Sequence, residues 1–190
     1  QDNLLSNITN GGDIVVSKPD EITAIVLSLN HLFGRFGFLK SAVTGRTTAL
    51  IEATELSLDL KIVEFFRPTA VSVVPRVMEH IWNALLDRDN HRWVWEQLES
   101  LDQKKSGAAL DEVESGHFDE LRASLRAGVS QALGGRIKYV SYGGAAMPPR
   151  IMRFFDLIGI PLIGSYGTTE CGGITLCRIG ENRPGHLGKR

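Results

Sequence analysis

Ile160-Pro161-Leu162-Ile163, followed at once by Gly164-Ser165-Tyr166-Gly167-Thr168-Thr169-Glu170-Cys171-Gly172-Gly173, sets a short apolar run ahead of flexible backbone, hydroxyls and one carboxylate. Bounded by Gly159 and Gly164, the run has the length of a buried strand. Open α/β sheets bind ligands in loops at the carboxyl ends of their strands. Gly167, Gly172 and Gly173 permit positive φ and let the main chain approach a ligand, while Thr168 and Thr169 offer hydroxyls to phosphate oxygens. Glu170 can hold a hard cation such as Mg²⁺. A glycine-rich connection capped by threonine side chains accounts for the same composition.

Outward from this stretch, apolar patterns of strand and helix type alternate. Residues 137–142 read as a strand and 143–147 as a loop, and Pro148-Pro149 opens a helix with Ile151, Phe154, Phe155 and Ile158 inward. Phe118, Leu121, Leu125, Val129 and Leu133 define an amphipathic helix stopped by Gly134-Gly135. The polar residues 102–116, with Gly107 and Gly116, predict a solvated loop or irregular insertion. Residues 76–98 carry Val77, Ile81 and Leu85 one turn apart, and Trp82, Trp93 and Trp95 read as packing anchors. Further upstream come a strand over 70–74, and a helix through Leu56, Leu58, Ile62, Phe65 and Phe66 that Pro68 ends. A strand over 47–51, a turn at Gly45-Arg46, a helix over 33–43 and a β-branched strand over 22–29 precede these. Leu4, Leu5 and Ile8 share one helical face, as if the chain began inside a helix, and residues 179–190 read as an irregular surface segment. The alternation predicts an α/β fold: a largely parallel sheet flanked by helices and joined by right-handed crossovers.

The 190 residues suffice for one domain with a sizeable core, and 43% hydrophobic with 23% charged residues is ordinary for a globular protein. A net charge of −1 and no like-charge run leave no electrostatic footprint for nucleic acid or an anionic membrane. Cys171 and Cys177 form no disulfide framework, Cys-x-x-Cys motif or zinc set, and read as a reduced, cytoplasmic pair. No stretch reaches the roughly 20 apolar residues of a membrane span, and the first residues are unlike a signal peptide.

Tyr166-Gly167-Thr168-Thr169-Glu170 resembles the Tyr-Gly-x-Thr-Glu signature of adenylate-forming enzymes: acyl-CoA synthetases, luciferases and peptide-synthetase adenylation domains. Three further segments resemble that family in the same order. Asn30-His31-Leu32-Phe33-Gly34-Arg35 is similar to its Ser-His-x-Phe-Gly-Arg segment, Arg67-Pro68-Thr69 with Val74-Pro75-Arg76 to a structural segment bracketing a central strand, and Gly143-Gly144-Ala145-Ala146-Met147 to its Gly-Gly-Ala loop. Ser28, Asn30 and Tyr142 depart from the pattern. Tyr142 in place of a small residue either narrows the pocket or faces the core. Leu133-Gly134-Gly135-Arg136 and the polar insertion before it resemble long-chain fatty acyl-CoA synthetases, and Arg183-Pro184-Gly185-His186-Leu187-Gly188 resembles the family's following turn.

The resemblance implies the large N-terminal domain of such an enzyme, binding ATP and Mg²⁺ and handing an acyl group to CoA or a carrier-protein phosphopantetheine. It implies nucleotide binding by Gly143, Gly144, Ala145, Gly164, Ser165, Tyr166, Gly167 and Thr169, with Tyr166 beside adenine and Thr169 on the α-phosphate. It implies catalytic roles for Thr169, Glu170 and His31, Glu170 as the metal ligand, and an acyl pocket at His31, Phe33 and Gly144. The substrate expected is a carboxylic acid, a fatty acid for this branch, with an acyl carrier protein as a possible partner. Relative to the family pattern, residues 1–190 are expected to be part of an adenylation domain, lacking an upstream phosphate loop and a downstream small domain. A fatty acyl-AMP ligase and a carboxylic acid reductase share these motifs. From another class, a non-catalytic structural or partner-binding module derived from such a domain fits as well, and self-association of the isolated chain is expected from an open sheet. A dinucleotide-binding Rossmann reading lacks its Gly-x-Gly-x-x-Gly.

Overall fold

The computed structural model describes residues 8, 20–52, 60–186 and 188. Leu4, Leu5, Leu56, Leu58 and Leu187 lie outside them. The strands are β1 (Ile22–Ile25), β2 (Thr47–Leu50), β3 (Ala70–Val73), β4 (Tyr139–Tyr142), β5 (Leu162–Thr168) and β6 (Gly172–Leu176). The helices are α1 (Leu32–Val43), α2 (Lys61–Phe66), α3 (Pro75–Leu86), α4 (His91–Gly107), α5 (Glu112–Ala132) and α6 (Pro149–Leu157).

The strands form a six-stranded sheet in the order β2-β1-β3-β4-β5-β6. All neighbours are parallel except the antiparallel β5–β6 pair. The sheet is therefore largely parallel, as the alternation of strands and helices predicts. Its order reverses direction between β1 and β3, the kind of switch point beside which open α/β sheets bind ligands at the carboxyl ends of their strands.

Alternate strand residues feed two faces. Ala24, Val71, Val73, Val140, Tyr142 and Leu162 join the side chains of α3 to α6 in the main core. Phe154 is its centre, edge-on to Trp95 at 5.0 Å and to Trp82 at 6.3 Å. The anchor reading holds for those two tryptophans, whereas Trp93 is 55% exposed. On the opposite face α1 comes close enough that a Cβ on Gly37 would stand 3.2 Å from Ile25 Cδ1.

One expectation is corrected here. The segment over 102–116 is no loop: α4 continues to Gly107, α5 starts at Glu112, and only the short connection between them is irregular. Asp111 caps α5, accepting from the Glu114 N–H at 2.8 Å while the Glu114 side chain reciprocates on the Asp111 N–H. The polar composition is thus the solvated face of a helical pair, tied across by the Lys104–Glu114 ion pair. The segment over 76–98 is shared by two helices, because Asp89 at φ +46° breaks the path between α3 and α4.

Elsewhere the connections are held by specific bonds. Arg67 ends α2 in the left-handed conformation at φ +47° and donates from Nε to the Gly134 carbonyl at 3.4 Å. Thr69 Oγ1 accepts from the Ile22 N–H at 3.1 Å and donates to the Ile22 carbonyl at 3.0 Å, extending the β1–β3 ladder by one side chain. No helix among the described residues is long and apolar enough to cross a membrane.

Candidate functional site

The motif segments that follow β1 and β4 and that form β5 meet at the carboxyl ends of the parallel strands, whereas Arg67-Pro68-Thr69 lies at the amino end of β3. His31 follows β1 at the N-cap position of α1, exposed and with no side-chain capping bond. Phe33 lies within the first turn of α1. The loop 143–147 leaves β4, and β5 runs beside it.

Gly143 is where these segments touch. A Cβ there would stand 2.7 Å from Ser165 Oγ, 3.3 Å from the Ser165 carbonyl oxygen and 3.4 Å from Phe33 Cε1, so a side chain at this position would displace the Ser165 hydroxyl where β5, the β4 loop and α1 close on one another. Ser165 Oγ donates to the Tyr142 carbonyl at 3.1 Å, which locks β5 to the root of the loop. Gly144 sits at φ +84° with Val74 Cγ1 3.7 Å from its Cβ position, bringing in the end of β3. Gly144 and Ala145 are exposed, leaving a bare backbone shelf beside Tyr166, itself 45% exposed at the edge of β5.

The glycine-rich stretch is a hairpin, which corrects the expectation of a loop after a strand ending at Ile163. β5 continues through Gly164, Ser165, Tyr166 and Gly167 to Thr168, residues 169–171 turn, and Gly172 begins β6. The ladder slips between Tyr166 and Gly167, and a Cβ on Gly167 would stand 2.2 Å from the Gly172 carbonyl oxygen. Such a bulge re-aims the strand end. Thr169 and Glu170 thereby lie at the exposed tip of the hairpin.

At that tip Thr168 Oγ1 accepts the Cys171 N–H at 3.3 Å. The Glu170 carboxyl is held below its ordinary range, first by its own backbone N–H and then by the Thr168 hydroxyl. It is ionised at neutral pH and open to solvent. Among the described residues no group of three or more His, Cys, Asp or Glu forms a metal cage. Mg²⁺ is ordinarily held by one or two carboxylates together with substrate phosphates, which a single exposed Glu170 fits.

The structure brings Phe33, Gly143, Gly144 and Ser165 into one locus, with Gly164 behind them and Tyr166, Thr169 and Glu170 along the adjoining hairpin. Tyr142 faces the core and leaves the pocket wall to glycine: it is 4% exposed and bonded through its hydroxyl to Asn182. Asn182 is the participant that motif reading missed, since nothing in the local pattern of 179–190 marks it as a partner of β4.

The family model for AMP-binding enzymes matches residues 1–190. The carboxylic acid reductase of Segniliparus rugosus is 28% identical over 167 residues, covering 87% of this chain and 12% of that protein. Fatty acyl-CoA synthetase A of Dictyostelium discoideum is 26% identical over 170 residues, covering 87% of this chain and 23% of that protein. The chain thus spans less than a quarter of either relative. Among solved structures, O-succinylbenzoate coenzyme A synthetase from Bacillus subtilis, in complex with ATP and magnesium ion, superposes with a TM-score of 0.60 at 18% identity, over 98% of this chain and 30% of that one. At that identity the superposition shows the shared fold.

Proposed function

The chain belongs to the family of AMP-binding enzymes, and from that premise we propose that it carries the nucleotide- and acyl-binding centre of an ATP-dependent carboxylic acid:thiol ligase of fatty acyl-CoA synthetase type. The observation that carries the reading is the convergence of Phe33, Gly143, Gly144 and Ser165 at the carboxyl ends of β1, β4 and β5, with an ionised Glu170 on the same hairpin. The similarity to a fatty acyl-CoA synthetase supports the choice of acid.

In this reading the exposed backbone of Gly144 and Ala145 and the ring of Tyr166 receive the adenine. Gly164, Ser165 and Gly167 keep the strand low enough for the nucleotide to lie against it, and Thr169 donates its hydroxyl to the α-phosphate. Glu170 holds Mg²⁺, which when bound offsets charge on the phosphate oxygens. His31 and Phe33 face the acyl side, where Gly143 and Gly144 leave room for the carboxylate of the acid to approach the α-phosphorus. Attack by that carboxylate forms the acyl–phosphate bond and releases pyrophosphate; the residues contribute orientation and fixed dipoles, with no proton transfer. The thiol of CoA then attacks the acyl carbonyl, forming the thioester C–S bond as the acyl–oxygen bond to phosphate breaks, with AMP released and the thiol proton lost to solvent.

The similarity to a carboxylic acid reductase supports a second acceptor, a carrier-protein phosphopantetheine, for the same adenylate. Acyl transfer to free CoA against transfer to a phosphopantetheinylated carrier, measured in the protein that contains this chain, separates the two.

Calorimetric titration of the chain with AMP, ATP and a non-hydrolysable acyl-adenylate analogue, with and without Mg²⁺, tests the reading. Saturable analogue binding, weakened in Tyr166→Ala and made Mg²⁺-independent in Glu170→Ala, is expected. A folded chain that binds none of the three ligands would sink it.

A further inference from the structure

Tyr142 ends β4 beneath the candidate site, and its bonds reach in two directions. Its carbonyl accepts from Ser165 Oγ at 3.1 Å, and its hydroxyl donates to Asn182 Oδ1 at 2.9 Å. Gly164 crosses directly over the phenol: a Cβ there would stand 2.7 Å from Tyr142 Oη and 3.0 Å from Asn182 Oδ1. The Cys177 N–H, just past β6, donates to the Gly164 carbonyl at 2.8 Å. Three lengths of chain therefore close on one buried hydroxyl.

The segment on the far side of that bond is irregular, and just beyond it Gly188 backs closely onto the Leu176 and Cys177 main chain. Residues 178–186 contain no helix or strand, only two turns, closed by Glu181 N–H to Arg178 O and by His186 N–H to Arg183 O, each at 3.0 Å. Asn182 sits between the turns, the first of which is also closed by the Arg178 N–H on Glu181 Oε2 at 3.4 Å. Among the described residues a weaker contact, the Cys177 thiol 3.7 Å from the His186 carbonyl, ties the far end. Burial, followed by the neighbouring Cys177, pushes the Tyr142 phenol above its ordinary range, so it remains a neutral donor at physiological pH.

We infer that Tyr142 is a positioning residue whose hydroxyl, through Asn182, fixes the segment 178–186 against the Gly143 and Gly164 backbone and so sets one wall of the candidate nucleotide site. The inference rests on the nucleotide reading of that site. It gives the departure from the family pattern at Tyr142 a purpose: the large side chain lies under the site and acts on it through the strap it holds.

Tyr142→Phe deletes one hydroxyl and keeps the ring, Asn182→Leu deletes the acceptor, and Asn182→Asp keeps an acceptor. Hydrogen exchange of the 190-residue chain reads the strap, and calorimetric titration with the acyl-adenylate analogue reads the site. Exchange over 178–186 is expected to rise in Tyr142→Phe and Asn182→Leu while α4 and α5 stay unchanged. Analogue affinity is expected to fall roughly threefold to tenfold in both, the range for loss of one hydrogen bond, and to be restored in Asn182→Asp. Unchanged exchange, faster exchange with unchanged affinity, or no recovery in Asn182→Asp overturns the positioning role alone. Absence of analogue binding by the folded wild-type chain overturns the nucleotide reading and this role with it.

Discussion

Glu21 and Arg46 form an ion pair of 2.6 Å in which each side chain is only 5% exposed. It joins the residue before β1 to the residue before β2, at the end of the sheet opposite the candidate site. Lys138, half exposed, adds a second cation to Glu21 at 2.8 Å. Two charges so deeply buried hold each other in place: without Glu21 the Arg46 guanidinium loses its carboxylate, and without Arg46 the buried Glu21 is left with only the half-exposed Lys138.

Arg46→Met is accordingly expected to cost about 3–5 kcal/mol in urea unfolding, with partial recovery in the Arg46→Met/Glu21→Gln double variant. Lys138→Met, at the exposed edge of the cluster, should cost no more than ~1 kcal/mol. Equal losses at Arg46 and Lys138 would contradict the burial argument.

Two glycines, Gly167 in the β5–β6 hairpin and Gly116 in α5, face opposite demands. Gly167→Ala would place a Cβ 2.2 Å from the Gly172 carbonyl, backbone against backbone, and is expected to destabilise by roughly 1–3 kcal/mol. Gly116→Ala, in the interior of α5 with nothing within 4 Å, should stabilise by roughly 0.5–1 kcal/mol. Thermal unfolding of the two single variants reads both signs.

Alkaline pH should destabilise the chain through Tyr142 and Cys177. Burial is the first cause of the upward shift in each, so both hold protons in the folded state that the unfolded chain has already lost. Their stabilising contribution is complete below the ordinary thiol and phenol ranges and declines as pH rises from about 8.5 for Cys177 and about 10 for Tyr142. Unfolding free energies measured from pH 7 to 11 should fall less steeply above pH 10 in Tyr142→Phe than in the wild type. An identical slope in the two chains would show that the phenol is not buried as described.

Glu170 titrates in the other direction. Its carboxyl is held below the ordinary range, so the anion persists as the medium is acidified, and it protonates only at a lower pH than an ordinary glutamate. Mg²⁺-dependent binding of the adenylate analogue is expected to be level between pH 7 and 5 as far as this residue is concerned. Thr168→Ala removes the second of the two bonds that lower it and should move the acid limb toward higher pH. An acid limb that does not move in Thr168→Ala would remove that hydroxyl from the account.

Periodicity and punctuation determined most of the fold. Apolar runs with β-branched residues became β1 to β4, Gly134-Gly135 at φ +91° and +75° ended α5, and Pro149 started α6, because each depends on the chain's own steric and hydrogen-bonding preferences. The Asp111-x-x-Glu114 capping box was equally local and marked the start of α5, yet the polar composition around it read as a loop. The motif residues too were legible one segment at a time. What only the tertiary structure decided lies where a backbone answers to a partner far along the chain. The run from Gly164 to Gly173 is hairpin because β6 supplies the ladder for it, and Gly143 is closely approached because Ser165 on β5 and Phe33 on α1 arrive from separate elements. Asn182 matters because the sheet order sets it over Tyr142, 40 residues away. Local sequence encodes the preferences of each element; the close approach of elements depends on strand order and packing, which no single stretch contains.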